Sequence, residues 1–189
     1  LDENLSDQYL CNFSVFQSLI DHWALKQLFP IVPLQGLERA PEREARLVDI
    51  TCDSDGQVDH FIDPEAQRDT LPLHLPTSVE GGPYHLGFFL MGAYQDIMGD
   101  MHNLFGRVNE VHVFLDPDEE NGYYIEEVIE GTSIASVLDM VQYDEKALVR
   151  SVKKQIDSAI QDDRLKPSEG MRLLAEYSNG LRDQTYLSF

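Results

Sequence analysis

Positive charge, cysteine and long apolar runs are all scarce in this chain, and each shortage removes a class of explanation. Among 189 residues, 14 Lys and Arg stand against 34 Asp and Glu, a formal net charge of −20. That balance argues against nucleic acid or an anionic membrane as partner, because like charges repel. Only Cys11 and Cys52 are present, too few for a disulfide framework and in keeping with a reducing compartment such as the cytoplasm. No apolar run approaches the length of a membrane span, and Leu1-Asp2-Glu3-Asn4 does not resemble a signal peptide. An initiator Met is lacking too, so the chain reads as a piece of something longer or as a processing product.

The few basic residues are unevenly spread. From Val48 to Val141 only Arg68 and Arg107 are basic, whereas Lys146, Arg150, Lys153, Lys154, Arg164, Lys166, Arg172 and Arg182 follow. A boundary is therefore expected near Gln142, with residues 1–142 as one lobe and 143–189 as a helical tail.

Before that boundary the hydrophobic period is two. Strands are expected at Gln8 to Phe16, Arg46 to Thr51, Gln57 to Ile62, Tyr84 to Met91, Glu110 to Leu115 and Tyr123 to Ile129, with Ile31 to Leu34 an edge strand at best because of Pro33. Asp55-Gly56 and Asn121-Gly122 are hairpin signals. A short helix from Asp21 to Leu28 is capped by Asp21, and residues 63–83, rich in proline and ending in Gly81-Gly82-Pro83, read as loop. After Gly131 the period becomes about 3.6: Ser133 to Met140 is helical, Asp144 caps a helix with the stripe Leu148, Val152, Ile156 and Ile160, and Met171, Leu174, Tyr177 and Leu181 form another. The fold expected is α+β, a mostly antiparallel β-sandwich or barrel lobe followed by a helical subdomain.

Chemistry concentrates in Ile50-Thr51-Cys52-Asp53-Ser54-Asp55-Gly56. A thiol, which can donate a proton, lies beside two carboxylates, which can hold a cation, at what should be an exposed strand end. The plainer reading is a small core cysteine before an Asp-rich turn. A second segment, Met91-Gly92-Ala93-Tyr94-Gln95, offers two small residues that let a ligand approach the backbone, then a phenol that can donate to an anion. Taken alone, Tyr94 is as well read as a partly buried core aromatic.

Together these segments resemble the C-terminal lobe of the pyridoxal-phosphate-dependent decarboxylases of basic amino acids, and within that group the arginine decarboxylases. The stretches that carry the likeness are Asn12 to Ser18, Gln27 to Ile31, Asp49 to Gly56, Gly92 to Gln95, His102 to Gly106 and Val141 to Asp144. The resemblance implies that Cys52 crosses a dimer interface to protonate the substrate Cα once carbon dioxide has left. It also implies that Asp53 lies beside the distal cationic group, with Asp55 an unranked alternative, and that Tyr94 contacts the phosphate of pyridoxal 5'-phosphate. These residue types suit the roles: a thiol of reference pKa about 8.5 is mostly protonated near neutrality, and a carboxylate can make two charge-assisted bonds to a guanidinium. The implied reaction converts L-arginine to agmatine and carbon dioxide for polyamine synthesis, in a cytoplasmic homodimer or assembly of dimers.

Two departures qualify the likeness. Where ornithine decarboxylases carry an Asn-Asp-Gly step, this chain has Asn12-Phe13-Ser14, a smaller side chain that would leave room for a longer guanidinium. The family's cofactor lysine lies on an N-terminal barrel that this chain does not contain, so the polypeptide alone is expected to be inactive. Magnesium goes with the family, yet no ligand set stands out: His60, His74, His85, His102 and His112 lack paired spacing, and the Asp-rich turns lack a full calcium-loop pattern. Trp23 is read as a packing anchor, and the resemblance implies that its helix lies near the substrate entrance, which makes it a candidate for specificity. The alternatives are a non-catalytic interaction module derived from the lobe, or a decarboxylase of ornithine or of a carboxylated polyamine.

Overall fold

Alternate residues of Arg43–Val48 turn inward, with Ala45 and Leu47 fully buried, and this strand organises the first of two units, Leu1–Asn103 and Leu104–Phe189. The computed structural model describes residues 6–64, 67–79 and 82–188. Gly81 of the expected Gly-Gly-Pro turn lies outside them.

The first unit runs Asp7–Leu10 (β1), Val15–Ser18 (α1), Ile20–Leu25 (α2), Ile31–Pro33 (β2), Arg43–Val48 (β3), Gln57–Val58 (β4), Phe61–Ile62 (β5), Gln67–Arg68 (β6), Leu71–Leu73 (β7), Leu86–Phe88 (β8) and Tyr94–Ile97 (α3). β1 lies parallel to β3, with Asp7 opposite Ala45 and Leu10 opposite Val48. β7 and β4 pair with β3 antiparallel, Arg43 facing Leu73 and Leu47 facing Val58. Two further ladders join β2 to β8 and β5 to β6. Val15, Leu19, Phe29, Ile31, Ala45, Leu47, Val58, Phe61 and Leu73 form one core. Each of its larger side chains contributes about 1.5–3 kcal/mol by leaving water.

Several expected strands are shorter than their alternation suggests, for identifiable reasons. The run from Gln8 to Phe16 stops at Leu10 because Ser14 caps α1, its hydroxyl accepting from the Gln17 N–H at 3.2 Å, while a distant carboxylate, Asp49, accepts from Val15 N–H at 2.9 Å. Asp21 is not a cap. It sits in the first turn of α2, where Gln95 donates to its carboxylate and accepts from its N–H, and α2 ends in a left-handed Lys26. The expected loop over 63–83 contains β6 and β7, and Pro72 is tolerated there because, among the described strands, β7 pairs only with β3. The run from Tyr84 to Met91 is a strand only over β8, since Leu90 takes a positive φ of 60°.

In the second unit Glu110–Leu115 (β9) and Tyr123–Ile129 (β10) form an antiparallel ribbon whose register shifts between Ile125 and Glu127. The connection is longer than a two-residue turn: Asp116 N–H donates to the Gly122 carbonyl at 3.0 Å, and Gly122 takes φ 73°. Every residue of both strands is exposed, Val113 by 53% and Val128 by 60%. Three helices follow, Ile134–Met140 (α4), Glu145–Gln161 (α5) and Pro167–Gly180 (α6). Ser133 caps α4 through Ser136 N–H, and Asp144 caps α5 through Ala147 N–H at 2.7 Å. Leu148, Val152, Ile156 and Ile160 are half-buried on one face of α5. Buried Gly170 lets α6 approach that face, since a Cβ there would come within 2.7 Å of Ile156. Met171, expected in the second stripe, is instead 75% exposed, because Gly170 takes the inward position.

The architecture is thus α+β, and its sheets are small and unclosed among the described residues. No helix among them is long and apolar enough to cross a membrane.

Candidate active site

Beyond β3, residues 49–56 are held as a closed loop by one buried carboxylate. Asp49, 4% exposed, accepts from Val15 N–H at 2.9 Å, from Thr51 N–H at 2.9 Å and from the Thr51 hydroxyl at 2.6 Å. Its own N–H donates to the Gly56 carbonyl at 2.8 Å. Hydrogen bonds to a charged group are each worth about 1.5–3 kcal/mol, so Asp49 fixes the loop. Gly56 is required there, because a Cβ would collide with the Asp49 carboxylate and lie 2.6 Å from Thr51 Oγ1.

With Thr51 turned inward, Cys52 faces out, and it is exposed. Asn103 Nδ2 donates to its Sγ at 3.3 Å. Asp53 uses both oxygens: Oδ1 accepts from Asp55 N–H at 2.9 Å, and Oδ2 lies 3.0 Å from His102 Nε2. The Asp55 N–H, then His102, hold the Asp53 carboxyl below the usual carboxylate range. Asp55 is less committed, its Oδ2 accepting, among the described residues, only from the Trp23 indole at 3.3 Å. The His102 ring lies 4.2 Å from Phe16 between centroids, and Trp23 meets Phe16 edge-on at 5.3 Å. Beside Trp23 and Asp55 opens a cleft of about 440 Å³, also lined by His22, Lys26, Gln57 and Asp59.

Tyr94 stands apart. It opens α3, a helical turn and not the end of a strand, and is 70% exposed. A Cβ on Gly92 would meet nothing within 4 Å, so the backbone before Tyr94 is open to approach. No described contact links Tyr94 to Cys52, Asp53 or Asp55. Ser14, considered as a source of room for substrate, is fully buried, its hydroxyl occupied in capping α1.

The sequence offers His102 no paired metal spacing and points to no role for Asn103, although both lie in one of the stretches that carry the likeness. Each side chain meets a partner about fifty positions away, which no local pattern reveals. Asn103 did carry one signal after the fact, a left-handed backbone of φ 56°. Among the described residues no three His, Cys, Asp or Glu side chains converge as a metal site.

The arrangement places an exposed thiol, backed by an amide donor, next to two carboxylates. It can deliver a proton outward and hold a cation alongside.

Comparison with known proteins points to one family. The family described as the arginine decarboxylase C-terminal helical extension matches residues 134–187. The biosynthetic arginine decarboxylase of Phocaeicola vulgatus is 48% identical over 188 residues, covering 99% of this chain and 29% of the relative. That of Gloeobacter violaceus is 46% identical over 190 residues, covering 100% of this chain and 29% of the relative. The crystal structure of the biosynthetic arginine decarboxylase from Campylobacter jejuni superposes with a TM-score of 0.79 at 38% identity, covering 96% of this chain and 29% of that one. The chain thus spans under a third of the length of these relatives.

Proposed function

The chain belongs to the biosynthetic arginine decarboxylases, whose C-terminal portion it matches, and from that premise we propose that it serves as the C-terminal part of an enzyme converting L-arginine to agmatine and carbon dioxide. The observation that carries the reading is the exposed Cys52 thiol, backed by Asn103 and flanked by Asp53 and Asp55. In this reading Cys52 donates its proton to the substrate Cα in the active site of a second subunit, so the working state is a homodimer or an assembly of dimers. Asp53 or Asp55 faces the guanidinium. Asp55, with one oxygen bound among the described residues only by an exposed indole and a cleft beside it, has more acceptor capacity to offer.

Bound pyridoxal 5'-phosphate would supply the electron sink for the bond to the departing carboxylate. The residues of this chain fit one edge of that cofactor and not its covalent anchor. Tyr94, exposed beside the open Gly92 backbone, suits a phosphate contact. Lys26, Lys146, Lys153, Lys154 and Lys166 are all exposed, and a Schiff-base lysine is instead one shielded enough to lose its proton. The anchoring lysine, and the surface on which the small sheets complete a sandwich or barrel, are assigned to the enzyme's N-terminal barrel. Among the described residues no three His, Cys, Asp or Glu side chains come together to hold magnesium. A cytoplasmic location and a place in polyamine synthesis complete the reading, the former supported by two free thiols.

The test is turnover by the full-length enzyme and its Cys52→Ala variant. Agmatine formation is expected to fall by about tenfold or more while cofactor absorbance is kept. A variant as fast as the parent would remove Cys52 from the mechanism, and a preference for ornithine over arginine would remove the substrate assignment.

A further inference from the structure

We propose that His102 and Asn103 are positioning residues for the reaction, two consecutive side chains that set Asp53 and Cys52 respectively. The inference rests on the reading of Cys52 as proton donor and, for His102, on Asp53 as a carboxylate that faces the guanidinium. Asn103 Nδ2 donates to Cys52 Sγ at 3.3 Å, which uses a sulfur lone pair and leaves the S–H proton free to point to the exposed side. In the transfer, the S–H bond breaks and a Cα–H bond forms with the electron pair left behind by carbon dioxide. The negative charge then rests on sulfur, where the Asn103 N–H becomes a charge-assisted donor and binds more strongly than to the thiol. A contact that tightens along the step lowers its barrier, because it favours the later state over the earlier one. Exposed Cys52 regains its proton from water.

His102 acts on the neighbouring residue. Its Nε2 takes one oxygen of Asp53 while Asp55 N–H takes the other, so the carboxylate plane is fixed before any cation arrives. The imidazole is itself held by the Phe16 ring. The backbone explains the choice at 103: φ is 56°, a conformation that Asn adopts more readily than bulky or β-branched residues.

Two substitutions tolerate that backbone and remove the donor. Asn103→Asp keeps the shape, so it guards against a fold failure, and Asn103→Gly removes the side chain. In the holoenzyme both are expected to lower kcat about fivefold with KM for arginine little changed. Both should release carbon dioxide in excess of agmatine. Alkylation of Cys52 by iodoacetamide at pH 7, located by peptide mass spectrometry, should be about threefold slower, since the thiolate loses its donor. His102→Ala should instead raise KM with a smaller effect on kcat. Asn103 variants with the parent's product ratio and alkylation rate, or an unchanged KM in His102→Ala, would overturn the proposal even where Cys52→Ala uncouples carbon dioxide from agmatine. If Cys52→Ala keeps the parent's one-to-one ratio, the proton-donor reading itself has failed.

Discussion

The two cysteines show how far local environment separates identical side chains. Burial pushes the Cys11 thiol up to about 11, and the nearby Asp49 charge pushes the same way. Its S–H donates to the Tyr9 carbonyl at 3.4 Å. Because the shift is upward, Cys11 stays a neutral thiol until the pH approaches that value, and the thiolate is the reactive form. Iodoacetamide at pH 8 should therefore label Cys52 and spare Cys11, read by mass spectrometry of the two peptides; equal labelling would contradict the burial described. The exposure of Cys52 was legible in the sequence, since the Asp-Gly turn announced a strand end. Its neighbours were not. Asn103 and His102 reach it and Asp53 from about fifty positions away, and only the fold brings them there.

Helix caps are the elements that sequence specifies most directly, because donor and acceptor lie within three residues. Asp144 was expected to cap a helix and does so, taking Ala147 N–H as α5 begins. Removing that acceptor in Asp144→Ala should cost about 1 kcal/mol, seen as a lower denaturant midpoint with an unchanged slope. No loss would mean that α5 is held by α6 alone. The ends of β9 and β10 were equally legible, both strands running over the residues expected, although every residue of both is exposed and no inward face alternates with an outward one. Where alternation misled, a tertiary partner had intervened. Asp49 claims Val15 N–H and Ser14 caps α1, so the aromatic run from Gln8 turns into a helix. Likewise, Gln95 takes the Asp21 carboxylate that would otherwise have capped α2.

For the whole molecule the governing quantity is the net charge of −20. Among the described residues its ion pairs are mostly exposed, such as Lys153 with Asp157 and Arg172 with Glu176, and pairs of that kind add only a few tenths of a kcal/mol each. Repulsion among unpaired carboxylates should outweigh them. Raising NaCl from about 10 mM to about 0.5 M, which shortens the screening length from about 30 Å to under 8 Å, is expected to raise the thermal midpoint by a few degrees. A midpoint that fell would mean the ion pairs dominate. The same charge bears on the ribbon of β9 and β10, which pair only with each other among the described strands. Among the described residues each therefore presents an outer edge of N–H and C=O groups without a ladder partner, an invitation to a strand from another molecule. The register shift before Glu127 breaks the even spacing such a strand would need, and Glu110, Glu126, Glu127 and Glu130 set like charge against it. The irregularity thus guards the protein against polymerising edge to edge, and acid, which neutralises those carboxylates, is the condition in which fibrils would find the edge open.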